Sequence, residues 1–558
     1  MKEASHPTLL PAEADWYKDA VIYELHVKTF CDSNGDGIGD FPGLTSKLDY
    51  IAALGATAIW LLPFYPSPLR DDGYDVADYT GVNPDYGTLD DVRAFLAAAR
   101  ALGLRVITEL VLNHTSDQHA WFQRARLAPL GSPERDYYVW SDDNQKYAGT
   151  RVIFNDTETA NWTWDPAAGA YYWHRFFSHQ PDLNFDNPHI AAEFVNVMRF
   201  WADLGVDGFR LDAIPYLIER EGTSNENLPQ THAIIRSLRA SLNAIAPGCM
   251  FLAEANLPAA EALQYFGNGD ECQMAFNFPL MPRLYLALAR ADATPIVESI
   301  AATGGIPPSC QWAIFLRNHD ELTLEMVTPE DREYLWQAYA PHDRDRINLG
   351  IRRRLAPLLG NDRRRIELLN FLLVTLPGTP VIYYGDEIGM GDDTALNDRD
   401  GVRTPMQWQS GANAGFSTAA PHRLALPVIK GPEYGPSAVN AEAEAADPGS
   451  LLNWTRALLA RRQLHQAFGR GGITFLPASS TKAALAFSRE TADDSVLCVA
   501  NLGGSDIALD VAVPAAAGRE ARDISGPQTI VKLVSGGLQV TLPPFGFRWF
   551  HLAKEAAA

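Results

Sequence analysis

Four short strings stand out because their residue types could cleave or transfer a glycosidic bond. They are VLNHTS around Asn113, GFRLDA around Asp212, FLAEAN around Glu254 and FLRNHDE around Asp320. Each opens as an apolar run and closes in polar, ionisable residues. A run of that kind reads as a buried strand whose end emerges into a site. Three of the ends carry a carboxylate. Glycoside transfer with retained anomeric configuration needs two carboxyl groups roughly 5–5.5 Å apart. One attacks the anomeric carbon, and the other protonates the leaving oxygen and later deprotonates the acceptor. Asp212 is assigned as the nucleophile and Glu254 as the acid/base. Arg210, beside Asp212, is expected to lower its pKa and keep it ionised. The apolar Phe251-Leu252-Ala253 stretch suits the raised pKa that an acid at Glu254 requires. Any one Asp at a strand end could instead be a cap or an ion-pair partner. Three such ends in one chain weaken that reading.

Strand ends far apart in sequence converge on one face only in a suitable scaffold, and a parallel barrel is such a scaffold. The first half of the chain alternates apolar runs with amphipathic stretches: AVIYELHV (20–27), GLTSKLDYIAALG (43–55), ATAIWLLP (56–63), LDDVRAFLAAARALG (89–103) and RVITELVLNH (105–114). That alternation implies parallel strands joined by helices. After Asn113 the rhythm stops until about Asp186, in a segment rich in Trp, Tyr, Asp and Asn. It then resumes, and GFRLDA, FLAEAN, QMAFNFP, AIFLRNHD and GTPVIYYGDE bring the strands to eight. The expected fold is a (β/α)₈ TIM barrel formed by 1–113 and 187–468. An inserted domain, 114–186, follows the third strand. A second insertion, 321–370, follows the seventh and reads as helical. From Gly469 short strands take over, predicting a C-terminal all-β sandwich over 469–558.

Composition narrows the functional classes. With 558 residues, 47% hydrophobic and 20% charged, the chain fits a large globular protein. Its formal net charge of −22 argues against nucleic acid, which needs clustered Lys and Arg. Five scattered cysteines, none in a CxxC pair, make neither a disulfide framework nor a zinc site. They point to a reducing, cytoplasmic setting. The leading MKEASHPTLLPAEADW lacks a basic start followed by an apolar core, so no signal peptide is expected. The longest apolar stretch is broken by Pro377, Gly378 and Pro380, and reads as a helix, turn and strand rather than a membrane span.

One loop has cation-binding spacing. In DSNGDGIGD, Asp32, Asn34, Asp36 and Asp40 occupy positions one, three, five and nine, with Gly37 at six and the Ile38 carbonyl at seven. Hard cations want clustered oxygens, and the pattern is that of an EF-hand start, which makes calcium the expected ion. Gly43 stands where an EF-hand has its bidentate Glu, so the loop is not an EF-hand. The alternative is an Asx-turn loop satisfied by its own backbone.

Taken as a set, the four strings resemble the α-amylase clan of glycoside hydrolases (family 13), in order and over essentially the whole chain. The resemblance implies Asp212 as nucleophile, Glu254 as acid/base and Asp320 as a transition-state stabiliser gripping sugar hydroxyls. It implies that His114 and His319 hydrogen-bond the bound glucose and that Arg210 positions Asp212. In the clan's glucosidase-like members an Asp–Arg pair closes the blind end of the pocket. The matching residues are Asp71 and Tyr74 in RDDGYDVADY, and Arg399 and Arg403 in DRDGVRTPMQW. A blocked end favours a disaccharide over starch. Glucosidase-like members also place a metal in the DSNGDGIGD loop. A second structural calcium is implied at Asn113, Asp182, Glu219 and the carbonyls of Tyr216 and Leu217.

Several longer strings, among them AIWLLPFYPSPLRDDGYD and LPGTPVIYYGDEIGMGD, are similar to a subfamily that isomerises maltose to trehalose. That implies an intramolecular glucosyl transfer by double displacement, with minor hydrolysis to glucose. The freed glucose turns within a closed pocket, so water must be kept out. Both insertions are candidate lids, with Arg151 and Glu321 expected to pair across the mouth. One departure stands out: the subfamily has Trp-Pro soon after Glu-Ala-Asn, whereas Leu257, Pro258 and Ala259 follow here. The alternatives are an α-glucosidase or oligo-1,6-glucosidase with a looser lid, and a non-catalytic scaffold. No organic cofactor is implied. Oligomeric state, including a homo-oligomer, stays open, and the only protein partner suggested is a separate maltokinase.

Overall fold

A computed structural model describes residues 15–477, 481–513, 520–526, 530–533 and 537–552. The leading segment read for export signals falls largely outside the described residues. Eight parallel strands close a barrel: β1 (Ile22–Leu25), β2 (Ala58–Leu61), β3 (Arg105–Val111), β4 (Gly208–Asp212), β5 (Met250–Ala253), β6 (Met274–Phe276), β7 (Gln311–Phe315) and β8 (Thr379–Tyr383). Each pairs with its sequence neighbour, and β8 closes on β1. Their residues are buried almost without exception, as expected for strands with helices outside and side chains filling the interior.

The helices between strands follow from local chemistry. Leu89–Ala101 starts at a reciprocal capping box between Thr88 and Asp91. Pro188–Leu204 is capped by Asn187, carries Pro at its first turn and stops at Gly205 with φ 105°. That left-handed φ favours glycine there, and a Cβ would also displace the Arg100 guanidinium, 2.6 Å away.

Two insertions rise from the C-terminal ends of β3 and β7. The first builds an antiparallel sheet from Trp140–Ser141, Trp162–Asp165 and Ala170–Trp173 over a small core of Val139, Trp162 and Trp173. The isolated bridge His114 to Asp182 and the Leu183 N–H donating to the Asn113 carbonyl tie it to the end of β3, and the bridge Tyr138 to Leu183 lies within it. The second differs from its helical expectation. It contains the helix Pro329–Tyr339, but also a three-stranded sheet of Leu322–Thr323, Arg346–Ile347 and Gly350–Ile351. Asn348, at φ 47°, makes the tight turn between the last two, a conformation Asn tolerates better than most residues. The helix Arg363–Thr375 then leads straight into β8.

The C-terminal unit is a sandwich of a six-stranded and a two-stranded antiparallel sheet, packed on Leu497, Val499, Leu509, Val511, Leu538 and Phe550. It is docked tightly on the barrel. Trp549 lies 4.6 Å from the Phe468 ring and donates to Thr375 Oγ1 at 2.9 Å. The buried Arg489 donates to the carbonyls of Thr375, Phe468 and Gly471. Among the described residues no helix is long and apolar enough to cross a membrane. All five cysteines are buried and unpaired.

Candidate active site

The C-terminal ends of β3, β4, β5 and β7 deliver Asn113 and His114, Asp212, Glu254, and Asn318 to Asp320 to one face of the barrel. Arg210 is the residue that organises them. One Nη donates to Asp212 Oδ1 at 2.5 Å, and the other lies 2.6 Å from Glu254 Oε1. Both carboxyl groups are therefore held by one guanidinium, side by side at adjacent strand ends. The Ala213 N–H, donating at 3.0 Å, fixes the other Glu254 oxygen.

Burial dominates the ionisation of both groups. It pushes Asp212 up to about 6 even though Arg210 opposes it. It pushes Glu254 up to about 7, again against Arg210, with Asp212 and Asp320 adding to the rise. Arg210 lowers the Asp212 pKa as expected, but desolvation outweighs the ion pair and the net shift is upward. The order is still the useful one, since Asp212 ionises before Glu254. Asp320 behaves oppositely. Burial would raise it, but His319, Arg399 and Arg403 together hold it well below the usual range. His319 would be depressed by burial, yet Asp320 and Glu24 raise it to about 9.

Asp212, Glu254 and Asp320 line one cavity with Asp71, Tyr74, His114, Glu321 and Arg399. Arg399 bridges Asp71 at 3.2 Å and Asp320 at 2.9 Å, so the expected Asp–Arg closure is an ion pair inside the cavity wall. Arg403, Arg210 and His319 stand behind that wall rather than on it. Arg403 bonds Asp320, Asp72 and the His319 carbonyl, and His319 Nε2 meets Tyr74 Oη at 2.8 Å. These residues position the groups that face a substrate. Three lining side chains keep a buried polar atom without a partner: His114 Nε2, Asn256 Oδ1 and Glu321 Oε2. Buried polar atoms are normally paired, and a hydroxyl-rich ligand would pair these. His114 is neutral, burial having lowered it to about 3.

The expected Arg151–Glu321 gate does not form. Arg151 pairs with Glu226 at 2.8 Å and Glu325 at 3.4 Å, and reaches Tyr216 Oη at 3.3 Å. Glu321 accepts from Asn348 Nδ2 and lies 4.0 Å from Arg399. Glu321 adjoins Asp320 and stays inside, while the strand Leu322–Thr323 carries the chain outward to Glu325. Residues not anticipated include Asn256, Asn318, Glu325 and the aromatic lining Phe154, Phe176 and Phe278, while Tyr216, expected only as a carbonyl ligand, also lines the cavity. Asn256 and Asn318 were visible inside the motif strings. Glu109 was also missed: it lies under Arg210 at 2.9 Å, and a lone charge in the apolar VITELVL run was its signal. Leu257, at the departure from Trp-Pro, is buried in the core and does not line the cavity.

Both expected cation sites have oxygen donors, but their states differ. In the 32–40 loop the carboxylates already accept from the loop. Asp32 accepts from Asn34, Gly35 and Gly37, Asn34 Oδ1 from Asp36, and Asp36 Oδ1 from Ile38. Asp40 is turned to Ser33 and Gly43. The second set is unsatisfied. Asn113 Oδ1, Asp182 Oδ2 and Glu219 Oε1 are all buried without a partner. Burial, reinforced by Glu219, raises Asp182 well above the carboxylate range, and burial raises Glu219 to about 8. Tyr216 and Leu217 lie next to this set in sequence, three and two residues before Glu219.

The chain is similar to known proteins. Residues 24–471 match the family described as "Alpha amylase, catalytic domain", and 473–549 match "Maltogenic Amylase, C-terminal domain". The trehalose synthase/amylase TreS of Mycolicibacterium smegmatis is 52% identical over 99% of this chain and 95% of its own length. The chain belongs to the α-amylase family, in its trehalose synthase branch. The trehalose synthase of Thermus thermophilus is 54% identical over 97% of this chain, which spans 56% of that longer relative. Among solved structures of the α-amylase fold, trehalulose synthase MutB from Pseudomonas mesoacidophila MX-45 is similar with a TM-score of 0.77. It is 27% identical, over 96% of this chain and 99% of that one, and a MutB mutant has been solved with the substrate sucrose.

Proposed function

We propose that this protein isomerises maltose to trehalose by glucosyl transfer inside the cavity. The observation that carries the reading is the Asp212–Arg210–Glu254 arrangement, two carboxyl groups held on one guanidinium at adjacent strand ends. Asp212 attacks the anomeric carbon of the non-reducing glucose while Glu254, raised to about 7 and so largely protonated below that pH, donates to the leaving oxygen. Asp320, held ionised by three cationic neighbours, accepts hydroxyls of the flattening ring. The Arg399–Asp71 pair closes the far end, so one terminal glucose fits beyond the scissile bond. The freed glucose turns, and Glu254, now a base, activates its anomeric hydroxyl against the glucosyl-Asp212 ester. Two inversions give net retention.

The Arg151–Glu226–Glu325 contact keeps water from intercepting the ester. A calcium-class ion at Asn113, Asp182, Glu219 and the Tyr216 and Leu217 carbonyls would be structural and would supply positive charge to the unpaired oxygens. An ion in the 32–40 loop rests on its all-oxygen donors alone. A cytoplasmic setting rests on the five unpaired thiols. Incubating the purified protein with maltose tests the function. Trehalose as the main early product supports it, and glucose alone would establish an α-glucosidase instead.

A further inference from the structure

Outside the cavity, three ligand-type side chains meet where the C-terminal sandwich joins the barrel. His465 sits at the break between the helices Leu451–Gln463 and Gln466–Arg470. Asp494 lies in the turn between the strands Ala484–Glu490 and Ser495–Asn501. His551 lies on the strand Phe547–Leu552, next to Val496. His465 Nδ1 is 3.2 Å and His551 Nε2 is 3.4 Å from the same oxygen, Asp494 Oδ1. All three ligand atoms lie within 4.8 Å of one another.

These separations admit two readings. The 3.2 Å contact is a hydrogen bond at the long end of the range, and the 3.4 Å one lies beyond it. Both also fit as edges of a four-coordinate site. With metal–ligand bonds of about 2.0–2.1 Å, tetrahedral ligand atoms stand about 3.3 Å apart. The other Asp494 oxygen accepts from the Ala467 N–H at 3.1 Å, which orients the carboxylate as an outer-shell partner does. His465 packs edge-on against Phe468. The His551 side chain is 36% exposed, so the cluster can be reached from solvent.

We propose that His465, Asp494 and His551 form a transition-metal site of the zinc class. Two imidazoles and one carboxylate suit zinc rather than calcium, which separates this site from the oxygen-donor sites near the cavity. Its ligands come from the last barrel helices and from two places in the sandwich, and they meet only when the two units are docked. An ion bound there therefore stabilises the docked state by mass action.

The test uses full-length, chelator-stripped protein with zinc ion alone as the probe, read by calorimetric titration and by the thermal midpoint. Wild type is expected to bind one zinc per chain that His551→Gln and Asp494→Asn bind at least tenfold more weakly. Excess calcium should not displace it. Zinc should raise the midpoint of wild type and not of the variants. Maltose turnover of the metal-free variants should match metal-free wild type. Should Asp494→Asn fail to fold because it also holds Ala467, His551→Gln, on a partly exposed strand position, carries the test. Equal zinc binding by wild type and His551→Gln, or a wild-type midpoint unmoved by zinc, would overturn the proposal.

Discussion

Removing Arg151 should loosen the mouth of the cavity without unfolding the protein. Arg151 belongs to the first insertion, Glu226 to a loop after β4 and Glu325 to the second insertion. Its side chain is 42% exposed, so each ion pair contributes about 0.2–1 kcal/mol rather than a buried-pair value. Two such pairs make a total on the order of 1 kcal/mol, which is about a fivefold change in the ratio of closed to open states. Glu226 keeps a second partner, the buried Arg175 at 2.7 Å, so the loop it anchors remains held. Arg151→Ala should therefore raise the glucose fraction formed from maltose by about two- to fivefold, in line with that shift. The thermal midpoint should barely move, because surface pairs add little to global stability. Glu325→Ala should act alike, and the double variant should not sum the two effects, as expected for residues in contact. The assay is chromatographic quantification of trehalose and glucose at low conversion. A glucose fraction unchanged in both single variants would refute the gating argument.

Other outcomes follow from the same geometry. The value of kcat/KM on maltose should rise through pH about 6 as Asp212 ionises and fall above about 7 as Glu254 loses its proton. The two limbs belong to the coupled pair, and Glu254→Gln, assayed on an aryl glucoside that needs no acid, should lose the alkaline limb. Arg399→Ala strands two carboxylates, Asp71 and Asp320, and should lower kcat/KM by about 10- to 100-fold, the worth of one charged hydrogen bond of about 1.5–3 kcal/mol. Calcium added to chelator-stripped protein should raise its thermal midpoint, and Glu219→Gln should remove that response, because Glu219 Oε1 is one of the three unpaired oxygens.

The barrel was legible because its strands are short, apolar and regularly spaced, and because each motif ends a strand. Asp212, Glu254 and Asp320 meet as their strings imply. What pattern reading missed depends on three-dimensional neighbours. Asp212 stands beside Arg210 in sequence, which suggests a low pKa, yet burial wins and pushes it to about 6. The partner of Arg151 could not be read from the chain, because Glu321 and Glu325 differ only in how the intervening strand turns them. The small sheet in the second insertion was hidden by strands of two residues each, too short for a periodicity to appear. Glu24 and Glu109 are lone charges in apolar strand runs, and the barrel interior shows their partners, His319 and Arg210.

Isomerisation within the cavity requires a glucose that stays there between two displacements, and isotope labelling addresses that step directly. Maltose is supplied with an excess of free ¹³C-glucose, and trehalose is analysed by mass spectrometry at low conversion. Retention predicts early trehalose that is essentially unlabelled. Trehalose labelled in proportion to the free glucose would mean that the leaving glucose escapes and exchanges, and would contradict the account.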